Sequence, residues 1–360
     1  MDINKTPIAL RGISSNNKDI DDIHNGDTIN KTKLIESLKY DGKVGDIYKI
    51  WIKNFFLNIL TFGTYEFWGK IKLRQYVVGS YELAKHRFEY KGTGGELCKG
   101  FIRLSIYAVL ATIAIVIPLF FLYSHLAKTT PSFSTGIKFI SSVLPLLFFP
   151  FMFAAFYKSY KYKVSRISWK GIRGSLEGSL IKFSLMAFFL RHGLNILTVG
   201  IFSPFLRRME YKYIIQNLYI GKTKFVFNDS LHRSEFYSII FVNLFSLLFA
   251  IPSLGLSRKW YHSKMLNYLS QCTRINDISF KTTFEWLALF ELKVKNLFIL
   301  IFTLGLGHPI ILNNNAKFFA NNFFVIGDLN NLKLLQSKTN VGAAGEELIN
   351  EMDLGGDIGF

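Results

Sequence analysis

The sequence predicts an all-α polytopic membrane protein, with internally repeated helical units and short cytoplasmic β-strands. Three observations carry that reading. Half of the 360 residues are apolar, 36 of them are Phe, and the mean hydropathy is +0.24, a balance uncommon in soluble chains. The apolar residues are also clumped: Ile102–Tyr123 holds one charge, Arg103, and Phe139–Phe156 holds none. Such runs match the apolar thickness of a bilayer at helical rise. Finally, an apolar run ending in Thr-x-Gly recurs, at Thr61-Phe62-Gly63, Thr198-Val199-Gly200 and Thr303-Leu304-Gly305.

The formal net charge of +18 is unevenly spread. Residues 1–40 are balanced, 41–326 carry +22 and 327–360 carry −4. The bases sit in the links between apolar runs. That pattern fits the positive-inside rule and attraction to anionic lipid headgroups, and argues against nucleic acid as a partner. Three regions follow: a flexible polar tail over 1–40, a multi-pass membrane domain over 41–330 with six apolar segments, and an acidic Gly-rich tail over 331–360. The N-terminus lacks an apolar leader, so it is expected in the cytoplasm, with the first apolar run near Ile47 acting as an uncleaved insertion signal. Cys98 and Cys272 stand alone in basic links. Neither a disulfide nor a metal site is expected there, and no cofactor is implied.

Taken in order, Gly42–Tyr65 is the first apolar segment, followed by a basic helix around Gly69–Tyr76 and a strand-like stretch, His86–Gly92. Ile102–Tyr123 is a transmembrane helix. The sparsely basic link Ser124–Lys138 is expected outside, and Phe139–Phe156 brings the chain back. Ile167–Gly171 mirrors the earlier strand. Leu180–Leu206, Phe236–Leu256 and Phe284–Leu312 are further apolar segments, each followed by an alternating stretch at Lys224–Phe227, Asp277–Lys281 or Asn321–Asp328. One unit thus recurs: apolar segment, polar helix, short strand. If every basic link is cytoplasmic, segments that follow one another cannot all cross once. They either enter the bilayer and turn back or cross fully against the charge rule, and the sequence leaves both open.

Interrupted helices at membrane depth line cavities in transporters. Thr61, Gly63, Thr198, Gly200, Thr303 and Gly305 are therefore candidates for a solute path, with His192 added as a group able to titrate near neutral pH. The competing reading has each Thr bonding its own helix backbone and each Gly serving a turn or close packing. Lys53, Arg191 and Lys295 lie seven or eight residues before their Thr and read as headgroup anchors. Lys70, Arg74, Arg207 and Arg208 join them as headgroup candidates. Gly92-Thr93-Gly94-Gly95 lacks the Lys-Ser/Thr of a phosphate loop, and no catalytic triad or zinc pattern is present, so no enzyme activity is expected. The leading function is transport or a channel-like role for a small solute. The alternative is a scaffold that binds anionic lipid or a protein through its basic face.

The run Phe56-Leu57-Asn58-Ile59-Leu60-Thr61-Phe62-Gly63-Thr64-Tyr65-Glu66-Phe67-Trp68-Gly69-Lys70 is followed by Arg74-Gln75-Tyr76 and by Phe88-Glu89-Tyr90-Lys91-Gly92-Thr93-Gly94-Gly95-Glu96-Leu97. Together they resemble the YjgN-like family of bacterial inner-membrane proteins. The close of the chain, Gly345-Glu346-Glu347-Leu348 and Met352-Asp353-Leu354-Gly355, is similar too. The likeness covers residues 41–360. His308-Pro309 and Asn313-Asn314-Asn315 depart from it, replacing Trp-Gly-Lys and the basic stretch. The resemblance implies a bacterial inner membrane and several helices. It carries over no active site, because the family's function is unknown.

Overall fold

The computed structural model describes residues 35–126, 138, 152–253 and 255–329. The expected all-α polytopic fold is overturned by two antiparallel sheets, of five and seven strands. Among the described residues, only Gly94–His125 and Leu180–Leu197 are long and apolar enough to cross a membrane. Residues 35–37 and 39–40, assigned above to the flexible tail, are strands. Most of Ser124–Lys138, expected outside, and most of Phe139–Phe156 lie outside the described residues.

The strands are β1 (Ile35–Ser37), β2 (Lys39–Tyr40), β3 (Tyr81–Leu83), β4 (His86–Tyr90), β5 (Ile167–Trp169), β6 (Ile172–Leu176), β7 (Leu218–Ile220), β8 (Thr223–Lys224), β9 (Val226–Phe227), β10 (Thr273–Ile275), β11 (Ile278–Thr282) and β12 (Phe323–Ile326). One sheet runs β2-β3-β4-β5-β6-β7-β8, the other β1-β12-β11-β10-β9. Only Leu38 separates β1 from β2, and only Phe225 separates β8 from β9. The Leu38 N–H donates to Phe323 O at 3.3 Å and the Phe225 N–H to Leu218 O at 2.9 Å. The chain therefore passes from one sheet to the other at both junctions. Counted as continuous strands, the segments form a closed antiparallel ring in which β12, at Ile326, pairs with β1, at Ile35. No unpaired edge is left.

Side chains fill the ring. Leu38, Leu83, Trp169, Ile275, Ile278 and Val325 are buried in one cluster drawn from strands all around it. Phe225 stacks on Phe280 at 5.9 Å, and Phe88 stacks on Trp169 at 6.4 Å. The Trp169 indole N–H donates to Leu83 O at 3.3 Å. Like small barrels generally, this one is a packed core rather than a pore.

Antiparallel order sends the connections alternately to the two rims. One rim holds tight turns, such as Ala84-Lys85 and Lys170-Gly171, whose residues all have positive φ, as type I′ hairpins require. Among the described residues, each connection at the other rim holds a pair of helices. These are α1 (Val44–Leu60) with α2 (Glu66–Gly79), then α3 (Gly94–Leu126) with α4 (residues 152–166). Next comes α5 (Leu180–Phe188), which continues through a π turn (Phe189–Leu194) to Leu197, with α6 (Ser203–Gln216). The last two pairs are α7 (Arg233–Leu248) with α8 (Leu256–Gln271), and α9 (Trp286–Phe302) with α10 (His308–Asn321).

The helices form a ring of their own. Within it α2 packs on α3, α6 on α7, α8 on α9, and α10 on α1. Tyr157 of α4 meets Phe183 of α5 at 4.9 Å. A buried cluster beneath α7 and α8 encloses Cys272, where burial pushes the thiol up to about 11. Cys98, in α3, is half-buried.

Two outcomes are expected. In Ile35→Cys/Ile326→Cys an oxidant should form an intramolecular disulfide, read as a mobility shift on non-reducing gels; failure to cross-link would mean an open ring. A thiol reagent at pH 8 should modify Cys98 well before Cys272, because Cys272 remains protonated at every pH below its raised pKa. Equal rates would contradict its packing.

Candidate functional site

Four of the helical pairs end in described turns, and these share one geometry. Thr61 Oγ1 donates to Leu57 O at 2.7 Å and accepts from Tyr65 N at 3.0 Å. Thr198 Oγ1 does the same with Leu194 O at 2.7 Å and Phe202 N at 3.3 Å. Thr303 Oγ1 bonds Ile299 O at 2.6 Å and Gly307 N at 2.7 Å. One hydroxyl thus closes the end of the incoming helix and the start of the outgoing one. The backbone forms a Schellman turn: Gly63 N bonds Asn58 O and Gly200 N bonds Asn195 O, each at 2.8 Å, and Gly305 N bonds Leu300 O at 2.9 Å. The glycines take φ of 88°, 86° and 88°, and the residues before them, Phe62, Val199 and Leu304, take φ of 50°, 49° and 50°.

A further member of the set escaped the sequence reading. In the α7–α8 pair, Ser253 Oγ donates to Phe249 O and accepts from Ser257 N, while Gly255, at φ 81°, bonds Ala250 O at 2.7 Å. Ser here replaces Thr, so a search for Thr-x-Gly passes it by. Spacing reveals it. Tyr81, Leu218, Thr273 and Phe323, which open β3, β7, β10 and β12, each lie twenty residues beyond their hydroxyl residue.

Seven residues before those hydroxyls stand Asn54, Arg191, Ser246 and Asn296. Each lies in a bond that ties its pair of helices together. Asn54 Nδ2 donates to Gly69 O at 3.1 Å. Arg191 forms two 2.7 Å bonds with the buried Glu210. Ser257 Oγ donates to Ser246 O at 2.8 Å, and Asn296 Nδ2 to Asn315 Oδ1 at 2.8 Å. The sequence grouped Arg191 with Lys53 and Lys295, but the structure separates them. Lys53 and Lys295 lie one position earlier and are exposed, while Arg191 belongs to the cross-link. Of the other basic candidates, Lys70 pairs with Glu66 at 3.0 Å and Arg74 is half-buried. Arg207 is exposed. Arg208 pairs with Asp229 and lies over the Phe236 ring. His192 sits in the π turn, and its side chain lies outside the described residues.

The ends of the pairs are their most apolar and exposed points. Phe62 is 98% exposed, Leu304 92%, Ile251 88% and Val199 80%. Behind them, Phe56, Ile59, Leu197, Phe241, Phe245, Ile301 and Phe302 are exposed along the first helices. The second helices instead expose Lys72, Lys212, Lys264 and Lys317. The pairs also lean on one another. Asn243 Nδ2, on α7, donates to Gly200 O and Ile201 O in the preceding turn at 3.2 and 3.1 Å. Tyr48 Oη, on α1, donates to Leu306 O near the α9–α10 turn at 3.2 Å. Each of these two tips bears on the flank of the next pair, as iris blades do. At the root of the first pair, the Arg87 guanidinium beside Asp41 holds its carboxyl below the usual carboxylate range. Burial pushes the Tyr40 phenol up to about 12.

The hydroxyl reading predicts a graded series. Thr61→Val strands Leu57 O and Tyr65 N–H and should destabilise by about 1–3 kcal/mol, whereas Thr61→Ser should melt close to the parent, since Ser253 performs the same task. Gly63→Ala meets no atom within 4 Å, so its cost is backbone strain alone, about 1–2 kcal/mol. Thermal unfolding in detergent checks all three, and equal melting of the Val and Ser variants would contradict the assignment.

Among curated proteins, "Inner membrane protein YjgN" of Escherichia coli O157:H7 is 22% identical over 300 residues, covering 82% of this chain and 65% of that protein. The protein of the same name from Salmonella typhimurium is 38% identical over 61 residues, or 17% of this chain and 15% of that one. This chain thus spans less than two thirds of the relatives it matches. No solved structure matches. These relatives support a bacterial inner-membrane location and a membrane protein of unknown function. A family model described as "Bacterial protein of unknown function (DUF898)" matches residues 36–252 and 239–351, most of the described strands and helices, and the chain belongs to that family.

Proposed function

We propose that the protein is a non-catalytic inner-membrane scaffold, seated by helical hairpins that enter and leave the bilayer from the cytoplasmic side. One observation carries this: both legs of each short hairpin are rooted on the same rim of the barrel, and their tips hold the most exposed large apolar side chains among the described residues. A first leg of 17 residues, such as α1, reaches about 25 Å, short of the roughly 30 Å apolar layer. The mutual lean of the hairpins reduces that depth further. Among the described helices only α3, at 33 residues and about 50 Å, extends well beyond a bilayer. We read it as the crossing segment, with Arg103 at the headgroup level. The recurring hairpin-and-strand unit is read as an internal repeat.

A transported solute would need a path. The filled ring around Trp169 and the hydroxyls of Thr61, Thr198 and Thr303, all engaged by their own backbone, support the scaffold over a channel. The exposed bases Lys53, Lys295, Lys72, Lys212, Lys264 and Lys317 then meet anionic headgroups, each adding about 1 kcal/mol to membrane attachment.

Single cysteines at Phe62, Val199, Ile251 and Leu304, in a Cys98→Ser/Cys272→Ser background, test the topology. A membrane-impermeant maleimide should leave all four unlabelled from the periplasmic face. Nitroxide-labelled lipids should quench fluorophores attached there. Periplasmic labelling would show that the hairpins cross.

A further inference from the structure

Where the third hairpin, α5–α6, leans on the fourth, α7–α8, polar groups converge. Asn243 is fully buried on α7. Its amide holds the preceding turn, and its Oδ1 accepts from Ser203 Oγ at 3.0 Å and from an Arg258 guanidinium N–H at 2.9 Å. The same guanidinium nitrogen donates to Ser246 Oγ at 3.0 Å, and the guanidinium lies over the Tyr261 ring at 4.8 Å. Arg258 is thus fixed at one end by neutral partners. No carboxylate pairs with it among the described residues. Arg207, on α6, is close enough for its charge to repel that of Arg258, and it too has no acid partner there. Glu210, whose charge acts on the Tyr261 hydroxyl, is already held by both bonds from Arg191.

Two positive charges without an acid partner among the described residues therefore interact near the N-termini of two helices, Arg207 in the second turn of α6 and Arg258 in the first turn of α8, and those N-termini add to the positive potential. Tyr261 is a second, independent sign. Its side chain is 1% exposed, yet its hydroxyl, near Ser203 and both arginines, forms no hydrogen bond of normal geometry. A buried hydroxyl without a partner is costly. An anion offering several acceptor oxygens would bridge the two guanidinium groups and accept from that hydroxyl at once.

We propose that this junction is a binding site for the phosphate of an anionic phospholipid, held by Arg207, Arg258 and the Tyr261 hydroxyl. Phosphate suits the pair because guanidinium forks match its oxygens. The lipid source is favoured over free phosphate by the exposed apolar residues around it, Leu197, Val199, Leu248 and Ile251, which would receive acyl chains. The lipid source rests on the membrane seating proposed above.

The test uses the purified full chain in detergent, with phosphatidylglycerol, phosphatidylcholine or inorganic phosphate added separately. Native mass spectrometry reads retained lipid, and thermal melting reads stabilisation. Phosphatidylglycerol should be retained and should raise the melting temperature. Phosphatidylcholine and inorganic phosphate should do so far less. Arg207→Gln, at an exposed position without an internal partner, should fold normally and weaken phosphatidylglycerol retention about tenfold. Arg258→Gln should weaken it at least as much, and Lys295→Gln should not. Unchanged retention in Arg207→Gln would overturn the site, and an equal shift with inorganic phosphate would overturn the lipid source. Flotation of the variants with neutral vesicles separates this from membrane seating. If the parent fails to float, the seating is wrong, while loss of lipid in Arg207→Gln would still uphold the anion site.

Discussion

A chain that reverses direction in an apolar medium must satisfy its own backbone, because no water is there to do so. Four carbonyls at the end of one helix and four N–H groups at the start of the next are left over at such a reversal. Here a single side-chain oxygen serves both ends. Thr61, Thr198, Ser253 and Thr303 each accept from one N–H and donate to one carbonyl, and the glycine two residues on completes the turn. That economy leaves the intervening position free to carry a large apolar side chain at full exposure. Phe62, Val199 and Leu304 do so in a left-handed backbone that such residues seldom adopt. The strain is tolerated where the surrounding turn over-determines it.

Below the turns the same constraint takes another form. Each short hairpin carries a polar cross-link seven residues before its turn hydroxyl, and the chemistry differs each time: an asparagine to a carbonyl, an arginine to a glutamate, a serine carbonyl to a hydroxyl, an asparagine to an asparagine. Position is kept while residue type varies. A buried polar group in apolar surroundings fixes register because misalignment would leave it unpaired. The pattern agrees with legs that must not slide past one another.

Much of the local structure was legible in the sequence. His86–Gly92, Ile167–Gly171 and Asp277–Lys281 alternate and stop at turn residues or bases, and each contains a strand. Thr-x-Gly marked three of the reversals. The closed ring was not legible, since each strand has only two to five residues and most pairings join segments separated by a whole hairpin. β3, β7 and β10 were not read as strands, and residues 35–40 were read as tail, for the same reason: their partners are remote. Ser253 was missed through residue identity, although its twenty-residue spacing to Thr273 was available. At Arg191 the sequence supplied the position but not Glu210, nineteen residues away on the returning leg, and so an internal ion pair looked like a headgroup anchor.

The pairing of β12 with β1 has a consequence for biogenesis. Phe323–Ile326 is made roughly three hundred residues after Ile35–Ser37, and until it emerges β1 and β11 present open edges. Loop-closure entropy over that separation makes this contact slow to form. On the proposed membrane seating, the hairpins, each a local unit, would settle into the lipid beforehand and hold the earlier strands side by side. Membrane insertion would then act as the template for barrel assembly, and a ribosome stalled before Phe323 would leave a product that is embedded but unsealed.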